Sequence, residues 1–155
     1  MGRLILTSLL ASLLAVPAVP DGRAAGAPQS LPDFSGRWVC VSPLRMSEIE
    51  MTVTQTARTL RADTGVASLA MTYTLDGAET RHVFPLSSGD IVVLARATWR
   101  GSTLEIDERS TYPDEPKTHR TQTWSMKGSQ LAVLYNVETD GRPRPQIADS
   151  LWRRK

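Results

Sequence analysis

From Ser35 onward, the chain consists of short runs in which apolar and polar residues alternate, and residues typical of turns separate these runs. Alternation with a period of two places apolar side chains on one face of a β-strand, whereas a helix needs a period of about 3.6 residues. The region contains about ten runs of strand length and no apolar pattern with the helical period. The predicted strands cover residues 36–41, 49–56, 59–63, 70–75, 80–84, 91–99, 104–112, 117–126, 131–138 and 146–153.

The turns between these runs carry glycine at equivalent positions. Gly101 and Gly128 each stand three residues before a leucine, Leu104 or Leu131, which returns the chain to the apolar face. Glycine readily adopts the positive φ that tight hairpins require. Successive hairpins predict a meander, and a meander of about eight to ten strands closes because closure removes exposed strand edges. The predicted fold class is therefore all-β, with a single antiparallel meander β-barrel.

Residues 1–27 have the layout of a secretory signal peptide. Arg3 precedes an apolar run over residues 4–16, and small residues and prolines follow. That run is too short to span a bilayer, which needs about 20 residues, so a signal peptide is favoured over an uncleaved N-terminal anchor. We expect export to the periplasm or the cell exterior, without stable membrane insertion after cleavage. The expected organisation is cleavage somewhere in 18–27, a linker at 28–34 and the barrel at 35–155.

Charge and cysteine content exclude several classes of function. The chain has 18 basic and 16 acidic side chains, a formal net charge of +2, and no basic block. Nothing in this balance indicates a nucleic-acid partner. Cys40 is the only cysteine, so the exported chain has no internal disulfide. Because Cys40 shares a strand face with Trp38, we expect a buried small apolar residue rather than a reactive thiol.

The sequence lacks the common motifs of enzymes and of cofactor or metal sites. Alternation places His82 inward and His119 outward, on opposite sides of the wall, which argues against a shared metal or haem site. Glu105 and Asp107 have the spacing of a glycosidase pair, but Arg109 continues the same face, which favours a solvated outer surface. We therefore expect no catalysis, no cofactor and no metal.

The stretch DFSGRW contains Gly36-Arg37-Trp38, which resembles the G-x-W entry motif of the lipocalin/calycin superfamily. The later stretches MTYTLDG, ARATWRGSTLEI and TQTWSMKGSQL are similar, in the same order, to hairpins of bacterial secreted lipocalin-like domains, most of which have no assigned function. The resemblance implies a barrel closed at one end by Trp38, with Gly36 before it. It also implies that a basic residue of the last strand, Arg153 or Arg154, packs over Trp38.

A candidate cavity follows from the run KTHRTQTWSM. If Trp124 faces the interior, alternation places Gln122 and Arg120 there as well. A buried arginine needs an anionic partner, which would be either a ligand carboxylate or an internal Asp or Glu. The alternative is a bulge that reverses this face, so that Arg120 points outward and side chains fill the barrel. The other expected lining residues are Tyr73, His82, Trp99 and Tyr135.

Two functions from different classes follow from this reading. The first is an exported protein that binds a small apolar ligand, with or without an anionic group, inside the barrel. The second is a structural or protein-interaction barrel with a filled core, whose loops at 112–117 and 140–146 meet a partner that the sequence does not identify. The first is favoured because the expected inward face combines aromatic residues with a few polar groups.

Overall fold

The structure is a computed structural model that describes residues 30–42, 48–65, 70–113, 116–143 and 149–155. Every regular element within these ranges is a β-strand, and none of the described residues belongs to a helix able to cross a bilayer. The strands are β1 (Gly36–Ser42), β2 (Glu50–Gln55), β3 (Thr59–Asp63), β4 (Met71–Thr74), β5 (Thr80–Phe84), β6 (Ile91–Arg100), β7 (Thr103–Thr111), β8 (Thr118–Lys127), β9 (Gln130–Thr139), β10 (Arg142–Pro143) and β11 (Ser150–Arg154).

The strands form one antiparallel sheet with the spatial order β4-β3-β2-β1-β11-β9-β8-β7-β6-β5. Strands β1 to β4 and strands β5 to β9 each form a continuous meander, and β11 pairs with both β1 and β9, so it joins the two halves. The two-residue β10 pairs only with β9 and lies off the path. The sheet is a nearly closed barrel of ten strands with a seam between β4 and β5. The prediction of an all-β antiparallel meander barrel is confirmed.

The strand bounds agree closely with the alternation pattern, except at the C-terminus. The predicted strands at 59–63 and 80–84 match β3 and β5 residue for residue. The last strand was expected over 146–153, and β11 instead runs from Ser150 to Arg154. The signal peptide at 1–27 lies outside the described residues, as do parts of the two loops considered for a partner, 114–115 and 144–148.

Two of the predicted hairpin glycines occupy tight two-residue turns. Arg100 pairs with Thr103 across the β6–β7 turn, and Lys127 pairs with Gln130 across the β8–β9 turn. The first turn residue in each case is a glycine, Gly101 with φ of 60° and Gly128 with φ of 63°. Other residues rarely adopt this conformation, so the two glycines fix the register of the two longest hairpins.

Trp38 and Phe34 form the core of one end of the barrel. Both side chains are fully buried, and the Trp38 Nε1–H donates to the Phe34 carbonyl oxygen at 2.9 Å. The Phe34 ring stacks on Trp99 at 5.7 Å between centroids and meets Trp124 edge-on at 5.9 Å. The expected linker at 28–34 therefore needs correction at its end, because Phe34 belongs to the hydrophobic core.

Gln55 holds the N-terminal segment across this end. Its side-chain amide donates to the Pro32 carbonyl oxygen at 2.9 Å and accepts from the Phe34 backbone N–H at 3.0 Å. The Gln55 backbone N–H in turn donates to the Ser35 hydroxyl at 3.0 Å. These bonds satisfy backbone groups of an irregular segment that would otherwise lose their water partners on burial.

Arg154, rather than Arg153, covers Trp38. The Arg154 guanidinium lies 4.9 Å from the centre of the Trp38 ring and donates to the Asp33 carbonyl oxygen at 3.3 Å. Arg153 comes one residue earlier in β11, so its side chain lies on the opposite, outer face of the strand and points to solvent. Gly36 has φ of 140°, and a β-carbon there would stand 3.6 Å from Arg154 Nη1, so glycine gives the backbone the conformation this contact requires.

We expect Arg154→Ala to lower the free energy of unfolding by about 1–2 kcal/mol, since it removes one cation–π contact and one hydrogen bond. The matched variant Arg153→Ala should change it by less than about 0.5 kcal/mol, as is usual for exposed positions. Urea denaturation followed by tryptophan fluorescence measures both values. Equal effects of the two variants would contradict the assignment of Arg154 to barrel closure.

Candidate ligand-binding site

The end of the barrel opposite Trp38 contains a cavity of about 420 Å³. It lies between the last residues of β3, β5, β7 and β9 and the first residues of β4, β6 and β8. The lining is Met51, Ala62, Thr64, Met71, Tyr73, Phe84, Ile91, Val93, Ser110, Tyr112, Thr118, Arg120, Gln122, Trp124, Tyr135 and Val137. Half of these side chains are aliphatic or are Phe or Trp, and the rings of three tyrosines add further apolar surface. Three of the polar side chains lie on β8, namely Thr118, Arg120 and Gln122.

The structure brings most of the predicted lining residues to this cavity. They are Tyr73, Arg120, Gln122, Trp124 and Tyr135. The ladder between β7 and β8 is regular from Leu104 to Ser110, so no bulge reverses the faces of β8. Arg120 therefore faces the interior, and the alternative in which it points outward is wrong.

Trp99 was expected in the lining, and the structure places it elsewhere. It lies near the closed end of β6, where its ring stacks on Phe34 and borders a separate shallow depression with Leu31 and Asp33. Alternation alone could not show this, because the N-terminal segment that covers Trp99 comes from outside the strands. Trp99 is therefore part of the closure of the barrel.

His82 was also expected in the lining and does not reach it. Its ring stacks on Phe84 at 6.2 Å and meets Tyr73 edge-on at 6.4 Å, and both of these residues do line the cavity. The His82 Nε2 atom is buried without a hydrogen-bond partner among the described residues. His82 thus packs behind the lining on β5, at the seam of the barrel.

Glu108 is the centre of the site, and the sequence analysis missed it. Its side chain is only 1% exposed, yet four donor groups converge on its carboxylate. Oε1 accepts from the Tyr73 hydroxyl at 2.6 Å and from Gln122 Nε2 at 3.0 Å. Oε2 accepts a hydrogen bond from Arg120 Nε and also forms an ion pair with Arg120 Nη2. The internal carboxylate is therefore the anionic partner of Arg120.

Strand register explains why these groups meet. Glu108 pairs directly with Arg120, and Gln122 and Trp124 follow at two-residue steps along the same inner face of β8. The Gln122 side-chain oxygen accepts from Trp124 Nε1 at 3.0 Å, which fixes the amide with its NH₂ group toward Glu108. The signal for Glu108 was present in the sequence, because it continues the inward face of Leu104 and Ile106.

The hydrogen bond between Tyr73 and Glu108 crosses the seam of the barrel. Tyr73 lies on β4 and Glu108 on β7, and β4 and β5 form no ladder among the described strands. The side-chain bond therefore links the two halves of the sheet where backbone hydrogen bonds do not. Burial, followed by the nearby Glu108 charge, raises the pKa of Tyr73 well above its usual value, so the phenol remains a donor.

Arg120 is the charged group that the cavity presents. Burial is the largest single effect and lowers the pKa of Arg120, but the charge and hydrogen bond of Glu108, together with Tyr73 and Tyr135, outweigh burial and raise the pKa. The side chain is 40% exposed, against 1% for Glu108, and it lines the cavity while Glu108 lies behind it. The guanidinium and the carboxylate together form a neutral pair.

Tyr135 belongs to a second small polar group beside Arg120. Its hydroxyl lies near Ser150, and the Ser150 Oγ accepts from Trp152 Nε1 at 2.7 Å. Burial raises the pKa of Tyr135, so its hydroxyl stays protonated at neutral pH. This group connects the lining to β11 and thus to the strand that closes the barrel.

The other candidate residues lie away from the cavity. His119 is on the outer face, with Nε2 at 2.6 Å from Asp107 Oδ2, and Glu105 pairs with Arg100 at 3.2 Å. Burial raises the pKa of the Cys40 thiol, which is 1% exposed and donates to the Ser42 carbonyl oxygen. Within the described ranges, no group of three or more His, Cys, Asp or Glu side chains is placed to hold a metal ion.

No protein-family model matches the chain, and no curated protein matches it. Fold and site together define the class of protein on structural grounds alone. The chain is an all-β protein with a nearly closed, ten-stranded antiparallel barrel. One end is closed by aromatic residues, and the other contains a cavity that an internal carboxylate–guanidinium pair borders.

We expect Glu108→Ala to lower the free energy of unfolding by about 3–5 kcal/mol, because it leaves the Arg120 guanidinium unpaired and removes the bond across the seam. Glu105→Ala, on the outer face of the same strand, should change it by less than about 1 kcal/mol. Chemical denaturation measures both. A Glu108→Ala protein as stable as Glu105→Ala would contradict the role of Glu108 as the centre of the buried network.

We expect Tyr73→Phe to flatten the loss of stability at alkaline pH. Below the ordinary tyrosine pKa of 10.0, the phenol is protonated in both states and its contribution is complete. Above that pH the unfolded chain releases the proton while folded Tyr73 retains it, so rising pH favours unfolding. Free energies of unfolding measured at several pH values above neutral test this. Identical pH dependence of native protein and variant would contradict the assignment.

Proposed function

We propose that the protein binds a small, largely apolar molecule in the cavity at the open end of the barrel. The observation that carries this proposal is the cavity of about 420 Å³, with apolar walls and one fixed polar cluster around Glu108 and Arg120. Ligand sites commonly have volumes of about 300–1,000 Å³, a mainly apolar lining and a few placed polar groups. The cavity has each of these properties.

The buried network supports a binding role more than a purely structural one. Replacing a buried ion pair by packed apolar residues is often neutral or stabilising, so such a pair is weak evidence of a stability role. Here the pair borders a cavity, and Arg120 is partly exposed to it. A polar group held rigidly at the wall of an apolar cavity orients a ligand, which accounts for its position.

We further propose that the protein is exported, lipocalin-like and without catalytic activity. The layout of residues 1–27 supports export. The order of the G-x-W and hairpin motifs, together with the packing of Arg154 on Trp38, supports the lipocalin-like assignment. The absence of an enzyme motif from the sequence supports binding over catalysis.

A matched pair of variants tests the binding site. Val137 lines the cavity on β9, and Val83 is 39% exposed on β5. Val137→Phe should weaken binding of the uncharged fluorescent dye aminoanthracene by at least about tenfold, because the added ring occupies the cavity. Val83→Phe, with the same change in size outside the cavity, should leave the affinity unchanged. Fluorescence titration gives both dissociation constants.

Two outcomes would contradict the proposal. One is that the dye fails to bind the native protein, and the other is that both variants bind it equally well. Native mass spectrometry of the protein purified from its source adds a direct readout, since a bound ligand gives excess mass that disappears on denaturation. The denatured mass also shows whether the N-terminal residues up to a position in 18–27 have been removed.

A further inference from the structure

We infer that the ligand of this cavity is uncharged at its polar end, and that Glu108 is the residue that excludes anions. The favoured class is a small amphiphile with a hydrogen-bond-accepting oxygen, such as an alcohol, ketone, ester or amide. This inference rests on the proposed function, because it specifies what the same cavity accepts. The inferred ligand is uncharged, whereas the sequence pattern allowed either an uncharged or an anionic ligand.

The coordination of Glu108 shows that Arg120 is already neutralised. The Glu108 carboxylate accepts three hydrogen bonds, from Tyr73, Gln122 and Arg120 Nε. Arg120 Nη2 forms an ion pair with the same oxygen that Nε contacts, Oε2, so the two charges lie in direct contact. The cavity therefore presents a neutral pair rather than a free cation.

An anionic ligand would bring an uncompensated charge into this site. Arg120 is the one side chain of the described lining that is charged at neutral pH, and Glu108 balances it. A carboxylate that leaves water without a counter-charge pays a large desolvation penalty. An uncharged oxygen that accepts a hydrogen bond avoids this penalty.

Arg120 could give its full charge to an anion only by releasing Glu108. If the anion met Nη1 while Glu108 stayed in place, two carboxylates would share one guanidinium and the cluster would carry a net negative charge. If Glu108 were released, its carboxylate would remain 1% exposed, with only Tyr73 and Gln122 as donors. In both cases a negative charge away from water lacks a counter-charge, which opposes binding of the anion.

The same geometry leaves donors for an uncharged ligand. Arg120 contacts Glu108 through Nε and Nη2, and among the described residues its Nη1 makes no hydrogen bond or ion pair. Tyr135 lines the cavity beside it. An alcohol or carbonyl oxygen can accept from Nη1 without disturbing the bonds to Glu108, while the apolar part of the ligand contacts side chains such as Met71 and Val93.

Competition between decanol and decanoate for bound aminoanthracene at neutral pH tests the inference. These probes share one alkyl chain and differ in charge. We expect decanol to bind at least about tenfold more tightly to the native protein. Glu108→Gln keeps the size of the side chain but removes its charge, so the ratio of decanol affinity to decanoate affinity should fall by at least about tenfold. Glu105→Gln on the outer face of β7 should retain the native preference.

The outcomes separate the inference from the proposed function. Decanoate binding the native protein as tightly as decanol would overturn the inference and leave the proposed function standing. A folded Glu108→Gln protein that keeps the native preference for decanol would also overturn the inference alone. If neither probe nor dye binds the native protein, both the inference and the proposed function fail. Because decanol and decanoate are compared on the native protein, the test stands even if Glu108→Gln does not fold.

Discussion

The ladder between β1 and β11 joins the first and last strands, and the rest of the barrel depends on it. Its register places Trp38 opposite Arg154, so the pairing that closes the sheet also brings the guanidinium over the indole ring. The N-terminal segment then packs Phe34 across the same end. Because this end is filled with aromatic residues, the opposite end can contain a cavity without the barrel losing its core.

Glu108 connects the stability of the barrel with the chemistry of its cavity. One carboxylate binds the β8 side chains Arg120 and Gln122 and, across the seam, Tyr73 of β4. The ladder is interrupted at this seam, so a side-chain network replaces the missing backbone bonds. The same network fixes Arg120 at the wall and neutralises it.

Alternation predicted most of the site, because side chains at odd and even positions of a regular strand point to opposite faces of the sheet. Arg120, Gln122 and Trp124 face inward for this reason, and the same rule, extended along β7, identifies Glu108. Alternation does not show how far along the barrel axis a residue lies. Trp99 is on the inward face as predicted, but it lies at the closed end of the barrel, where Phe34 covers it.

The sequence by itself determined the class of fold and the faces of most strands, since these follow from local alternation and from glycines in two-residue turns. Only the tertiary structure decided between Arg153 and Arg154, because the register of β11 against β1 depends on pairing between distant parts of the chain. It also decided that the partner of Arg120 is Glu108 and that Tyr73 completes the network. These contacts join strands brought together only when the barrel closes, and no local pattern encodes them.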